Sequence, residues 1–418
     1  MKAQEKKRIS AIKGTKDILP QEARKWQHVE NVAKRVFELY GYREIRTPVF
    51  EATELFERGT GVTSDVVTKE MYTFTDKGGR SLTLRPEYTP SIVRSIIENR
   101  LYLQPEPLRF YYLGPMFRYD KPQKGRFRQF HQMDIEVFGE KDPAVDAEIV
   151  EMAHTLVEEL KVMGIETLVN SIGCKKCRPS YLKDLRAKAQ EAIATLCPDC
   201  QRKTGTNPLR IFDCKNESCQ EISSTFPVLI DYLCEECDVH FRQFRSYLDL
   251  YRIGYKVEPR LVRGLDYYTK TAFELVSPKL GAQNAIIGGG RYDYMIEEFG
   301  GPKLCGIGFA VGMERLISLV PFNAGKEKFL YLAYLGEEAK KEGMGLARFL
   351  RRKGIECLIE YKDRGLKSHL SRANKLRARW AVMIGEEELK SGVFKLKDME
   401  TGDQYSITRD DILKYIRR

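Results

Sequence analysis

The apolar positions change period along the chain, and each period predicts a different element. From Trp26 to Tyr40, residues Val29, Val32, Ala33, Val36, Phe37 and Tyr40 recur at helical spacing until Gly41 stops the pattern. A short strand, Tyr42–Arg46, then precedes Thr47-Pro48. Further on, Phe117-Arg118-Tyr119 closes a strand. Asp120–Arg126, with Lys121, Pro122, Lys124 and Gly125, reads as a mobile basic loop. From Phe127 the period is two: Phe130, Gln132, Asp134 and Glu136 share one face, while His131, Met133, Ile135 and Val137 share the other. This is a β-hairpin whose apolar face packs inward and whose second face is a polar floor. Gly306–Gly312 is a glycine-spaced strand running into an amphipathic helix, with Arg315 in its first turns. Glycines at alternate positions clear one strand face, so a flat group can lie on the backbone.

Beyond a linker at Pro321–Lys328, elements alternate in type. Strands Phe329–Leu335, Ile355–Tyr361 and Trp380–Ile384 are separated by helices Glu337–Lys353 and Leu366–Arg379. A hairpin over Phe394–Ile407, turning at Thr401-Gly402, and a helix from Arg409 complete the chain. Strands separated by helices predict a small α/β domain with a parallel core.

Charge changes this picture. The 418 residues carry a net charge of +11, and Lys340–Arg379 holds thirteen Lys/Arg against four Asp/Glu. Such a balance suits a phosphate-rich partner. Arg118, Arg126 and Arg128 flank the polar floor of the hairpin, and guanidinium forks grip phosphate or carboxylate at two points. No GxxxxGK[ST] phosphate loop occurs, so a nucleotide would be held differently. No apolar run is long enough to span a bilayer, and Met1–Lys16 is polar and basic without a secretion signature. A cytoplasmic location is therefore expected.

Eight of the ten cysteines fall between 174 and 237, as Cys174-x2-Cys177, Cys197-x2-Cys200, Cys214-x4-Cys219 and Cys234-x2-Cys237. In a reducing compartment this spacing suits one or two structural four-cysteine zinc sites. An iron–sulfur centre and free thiols are the other readings. Cys305 and Cys357 read as buried core residues.

The helix with its strand and Pro48, the hairpin, and the glycine strand with Arg315 resemble, in that order, the three signature motifs of class II aminoacyl-tRNA synthetases. Within that class, Arg263-Gly264-Leu265-Asp266-Tyr267-Tyr268 closely resembles the RGLDYY signature of the histidyl-tRNA synthetases. Gly288-Gly289-Gly290-Arg291-Tyr292-Asp293 resembles their second histidine-specific element, and Thr83-Leu84-Arg85-Pro86-Glu87, with Thr89, resembles their TLRPE segment. The likeness runs from about Ile12 to the C-terminus. Two positions depart from it, because Tyr88 and Tyr294 stand where the family more often has glycine.

The resemblance implies an α+β catalytic domain, an antiparallel sheet with helices, over residues 1–170 and 240–322, with the RGLDYY segment as one of its strands. A cysteine-rich insertion at 171–239 interrupts it, and an anticodon-binding α/β domain at 328–418 follows. It implies activation of L-histidine by ATP, with Mg2+, and transfer to the 3′ end of tRNA(His) by a homodimer with no membrane association. By motif match, Arg118 would contact the α-phosphate and carboxylate, Arg126 the β- and γ-phosphates, and Arg315 the γ-phosphate beside the adenine. Arg263 would be a fixed cation at the α-phosphate, catalytic together with Arg118. Glu87, Thr89 and Gln132 would accept from the substrate ammonium, Glu136 and Tyr268 would pair the imidazole, and Tyr267 and Tyr88 would shape the pocket. A related group binds histidine as regulatory subunits of ATP phosphoribosyltransferase. Its members lack the anticodon domain and have eroded signatures, whereas all four arginines stand here.

Overall fold

The computed structural model describes residues 9–61, 66–121, 125–281, 284–323, 329–362 and 364–416. Pro122 and Lys124 of the hairpin loop, and residues 324–328 of the linker, lie outside them. The chain divides into two compact units, one ending at Phe322 and the other starting at Asn323.

The first unit is organised by an eight-stranded sheet. Its strands run in the order Arg43–Glu44, Leu108–Phe117, Gln129–Phe138, Gly306–Gly312, Ala285–Arg291, Thr269–Val276, Glu166–Ser171 and Lys256–Val257. The interior pairings are antiparallel; only the two short edge strands pair in parallel. Met133, Ile135 and Val137 on one face join a core built with helices Pro20–Leu39, Pro143–Glu159 and Glu235–Leu250. Each such side chain taken from water stabilises the unit by roughly 1.5–3 kcal/mol. The opposite face carries the polar floor.

Three expectations shift at their edges. The first helix starts at Pro20, six residues before Trp26, because proline suits an opening helical turn and the early polar residues face solvent. The strand after it shrinks to Arg43–Glu44, an edge piece with one neighbour. RGLDYY is a loop, and the strand begins only at Thr269. Its residues aim side chains into a site, so they lack the alternation that a paired strand would impose. A small sheet of Phe50–Ala52, Ser81–Leu84 and Tyr72–Thr75 was not foreseen.

The cysteine-rich segment packs within the first unit. It is helical, with Arg178–Glu191, Pro198–Thr206 and Glu217–Ser223 joined by short 3-10 turns.

The second unit has five strands in the order Cys357–Ile359, Leu330–Tyr334, Trp380–Ile384, Val393–Asp398 and Gln404–Thr408. The first three are parallel, as alternation of strand and helix requires. The last two form the hairpin, with Gly402 at φ +83° in its turn. A short helix, Glu386–Ser391, was missed; its Glu388 side chain folds back to accept from the Gly385 N–H at 2.9 Å. No described helix is long and apolar enough to cross a membrane.

Candidate active site

The two hairpin strands set the floor. They pair Tyr112 with Asp134 and Gly114 with Gln132, while Gly306–Gly312 pairs along the other side, Gly308 opposite Glu136. A cavity of ≈ 950 Å³ opens above, and each of the eleven residues assigned above to ATP or histidine lines it. Phe130, Gln132, Asp134 and Glu136 all face it, as the alternation requires.

Three arginines converge from different elements. Arg118 follows the first hairpin strand and donates from Nε to the Pro86 carbonyl at 2.8 Å, with its guanidinium over the Phe130 ring. Arg126 pairs with Asp120 at 2.8 Å. Arg315, on helix Met313–Leu319, donates to the Ala285 carbonyl at 2.8 Å. Burial lowers the affinity of Arg315 for its proton, and repulsion from Arg126 and Arg118 adds to the effect. Three clustered like charges suit a polyanion.

Arg263 approaches from the RGLDYY loop. It is paired to Glu274, lies over the Tyr268 ring, and keeps a buried Nε without a hydrogen-bond partner. A Cβ at Gly288 would collide with its guanidinium, so the glycine is what admits the arginine to the floor. Gly308 does the same for Glu136.

The carboxyls lie deeper. Glu87 is 4% exposed and Glu136 3% exposed. Burial pushes the Glu87 pKa up to about 7, against the Arg118 charge, and its Oε2 accepts from the Tyr267 hydroxyl at 3.0 Å. Burial pushes Glu136 up to about 8, with Glu87 adding repulsion. Thr89 donates to Glu136 Oε1 at 2.6 Å, and the Tyr292 hydroxyl donates to its other oxygen. Tyr292 escaped the sequence reading although it stands inside the GGGRYD stretch; its role depends on packing across strands. The cysteine-rich segment is expected over the mouth of the site, but none of its basic residues was singled out: Lys203, Arg210 and Lys215 line the cavity. Arg210 also reaches Asp266 at 3.1 Å, and Asn207 reaches the same oxygen at 2.8 Å, so this segment holds the RGLDYY loop.

With this geometry in hand, known proteins give the family. The family described as "Histidyl-tRNA synthetase" matches residues 14–316, and that described as "Anticodon binding domain" matches 322–418. The chain belongs to the histidyl-tRNA synthetase family. It is 47% identical to a histidine–tRNA ligase of Halothermothrix orenii, covering 98% of this chain and 99% of that one. It is 49% identical to one of Pelotomaculum thermopropionicum, covering 97% and 96%. Its fold is similar to the apo Staphylococcus aureus histidyl-tRNA synthetase, with TM-score 0.83, 36% identity, and 98% and 100% of the two chains covered.

The two departures from the family pattern differ: Tyr88 contributes to the cavity lining, and Tyr294 does not. The Tyr88 ring stacks on Tyr112, and its hydroxyl accepts from the Thr47 N–H at 2.8 Å and donates to the Ile45 carbonyl at 3.2 Å. Its ring and hydroxyl are thus tied into the surrounding protein, and the residue is 2% exposed. Tyr294 lies beneath the Lys175 ammonium and is absent from the lining.

The eight clustered cysteines sort into two groups of four, Cys174/Cys177/Cys234/Cys237 and Cys197/Cys200/Cys214/Cys219, with the sulfurs of each group within 4.8 Å of one another. Cys174 lies 3.7 Å from Cys177 and 3.8 Å from Cys234, and Cys197 lies 3.9 Å from Cys214, all sulfur to sulfur. A tetrahedron with Zn–S bonds of ~2.3 Å has sulfur–sulfur edges of roughly 3.8 Å. Backbone N–H groups of Cys234 and Cys197 point at Cys177 and Cys219 sulfurs at 3.1 and 3.2 Å, which favours thiolates. Cys305 and Cys357 are buried elsewhere, as expected.

Proposed function

We propose that this chain activates L-histidine with ATP to histidyl-adenylate and then transfers histidine to the 3′ end of tRNA(His). The observation that carries the reading is one cavity lined by Arg118, Arg126, Arg263 and Arg315 together with buried Glu87 and Glu136 and half-buried Gln132. The reaction joins a carboxylate to an α-phosphorus and expels pyrophosphate, so charge neutralisation and alignment carry most of the catalysis.

Arg118 aligns the carboxylate with the α-phosphate, Arg126 takes the β- and γ-phosphates, and Arg315 takes the γ-phosphate. Arg263 neutralises charge developing at the α-phosphate; its unpartnered Nε supports that role. Glu87, Thr89 and Gln132 receive the ammonium. Glu136, fixed by Thr89 and Tyr292, accepts an imidazole N–H, and Tyr268 pairs the second nitrogen, so aliphatic side chains leave buried polar groups unsatisfied. Tyr267 fixes Glu87. Tyr88 braces the wall. Mg2+ enters with ATP as part of the substrate.

The two four-cysteine groups fit zinc, which would supply structure only, tying the segment that carries Arg210 and Asn207. The second unit binds the tRNA anticodon arm, and the first helix with its strand and Pro48 forms a homodimer interface in the cytoplasm. Pyrophosphate exchange into ATP, one amino acid at a time, tests the reading: exchange with histidine alone is expected, and exchange with none despite histidine binding would favour a regulatory subunit.

A further inference from the structure

An ammonium carries three N–H donors and, in a buried site, needs three acceptors. Among the described residues lining the cavity, the buried acceptor atoms left without a hydrogen-bond partner are Glu87 Oε1, Gln132 Oε1 and Asp134 Oδ1. Two of the three belong to residues already assigned to the ammonium. The third belongs to no assigned residue.

Asp134 sits on the floor strand between Gln132 and Glu136, on the cavity face, and is 4% exposed. Its Oδ2 accepts from the Tyr112 hydroxyl directly across the hairpin. Tyr112 is itself held by the stacked Tyr88 ring, at 3.1 Å between centroids. The carboxyl is thus fixed through Oδ2, while Oδ1 of this lining residue is buried without a hydrogen-bond partner; burial and repulsion from Glu136 raise its proton affinity well above that of an ordinary aspartate. Arg85, the cation behind it, already donates to the carbonyls of Pro115, at 2.9 Å, and Thr47, at 3.1 Å. Leaving a buried acceptor unmade costs more than an ordinary hydrogen bond returns, so an orphaned oxygen in a lined cavity calls for a donor.

We propose that Asp134 is a third acceptor for the substrate ammonium, acting with Glu87 and Gln132. The proposal rests on the reading of this cavity as a histidine site. Thr89, whose hydroxyl proton goes to Glu136, then serves chiefly to hold the imidazole partner. With the amine bound, Oδ1 gains the donor it lacks, and Tyr112 and Tyr88 become positioning residues for Asp134.

The test compares two ligands, L-histidine and 3-(imidazol-4-yl)propionate, which keeps the ring and carboxylate but lacks the ammonium. Binding of each is measured by calorimetry on the full-length chain and on Asp134→Asn and Asp134→Ala. Thermal unfolding and the KM for ATP in pyrophosphate exchange serve as checks on the fold. Histidine binding should weaken about 10- to 100-fold in both variants, while propionate binding and the KM for ATP hold. Unchanged histidine affinity, or equal losses for both ligands, would overturn the role of Asp134. If the unaltered chain itself binds histidine no better than the propionate and exchanges no pyrophosphate, the histidine reading falls as well.

Discussion

Strands Gln129–Phe138 and Gly306–Gly312 form the cavity floor and are paired residue by residue, from Phe138 with Gly306 to Gln132 with Gly312. The wall from Cys197 to Cys219 has no such ladder. It runs through a nine-residue helix, a 3-10 turn and a seven-residue helix. Behind the floor lies a continuous apolar core. Within the wall, half of the six buried residues are cysteines (Cys200, Cys214 and Cys219), beside Thr204, Pro208 and Ile211. Both regions put charged groups into the same cavity, yet one is backed by strand pairing and an apolar core and the other carries converging cysteine sulfurs. A site can therefore be precise on both sides for unrelated reasons, and its two sides should fail under different insults.

The largest effect is expected on the floor. Arg263→Ala should lower histidine-dependent pyrophosphate exchange by about 10²–10³-fold, corresponding to about 3–4 kcal/mol, without loss of folded protein. Near-normal exchange would remove Arg263 from the chemistry.

A second effect separates the two sides by pH. Glu136 has a native pKa of about 8 against 4.5 for an ordinary glutamate. Its carboxyl stays protonated in the folded chain while the unfolded chain ionises. The associated stability is fully present below about pH 4.5 and declines as pH rises to about 8, by an amount on the order of a few kcal/mol. Urea midpoints of Glu136→Gln should fall less between pH 5 and 8.5 than those of the unaltered chain. Parallel declines would mean that Glu136 is not held protonated.

The wall should respond to metal instead. Purified chain should hold about two zinc ions, one for each group of four sulfurs. Cys200→Ser should lose one of them and about 5–10 °C in Tm, and Cys305→Ser should lose no metal. Zinc below a tenth of an equivalent in protein prepared without chelators would favour free thiols. The smallest effect tests how closely floor and loop are fitted. Gly288→Ala should cost about tenfold in exchange while unfolding stays cooperative, because the added methyl displaces Arg263. Full activity would mean that Arg263 has room to spare.

How legible each part was follows from how it is held. Period-two alternation put Phe130, Gln132, Asp134 and Glu136 on one face, and they line the cavity together. The parallel core of the second unit could be read because strand and helix alternate there. Cysteine spacing announced thiolate groups, but only the fold divides eight sulfurs into two sets, pairing Cys174/Cys177 with Cys234/Cys237 across nearly sixty residues. Short-range pattern failed where a residue's partner is distant. The Tyr292 contact with Glu136, and the reach of Arg210 and Asn207 to Asp266, are tertiary facts with no local signature. Motif resemblance supplied RGLDYY, yet it misread the segment as a strand, since the letters carry side-chain chemistry rather than backbone period.

The glycines of the floor have a consequence for redesign. Gly288 and Gly308, which line the cavity, are each pressed by a neighbour so closely that even a methyl group would collide, with Arg263 and Glu136 respectively. These residues are already the smallest available, so no room can be gained at these two positions. Space for a bulkier histidine analogue is better sought at the tyrosines, Tyr267, Tyr268 and Tyr292, which line the cavity and stand edge or face toward one another in one aromatic cluster. Because Tyr292 also holds Glu136 and Tyr267 holds Glu87, Tyr268 is the position from which such a library would start.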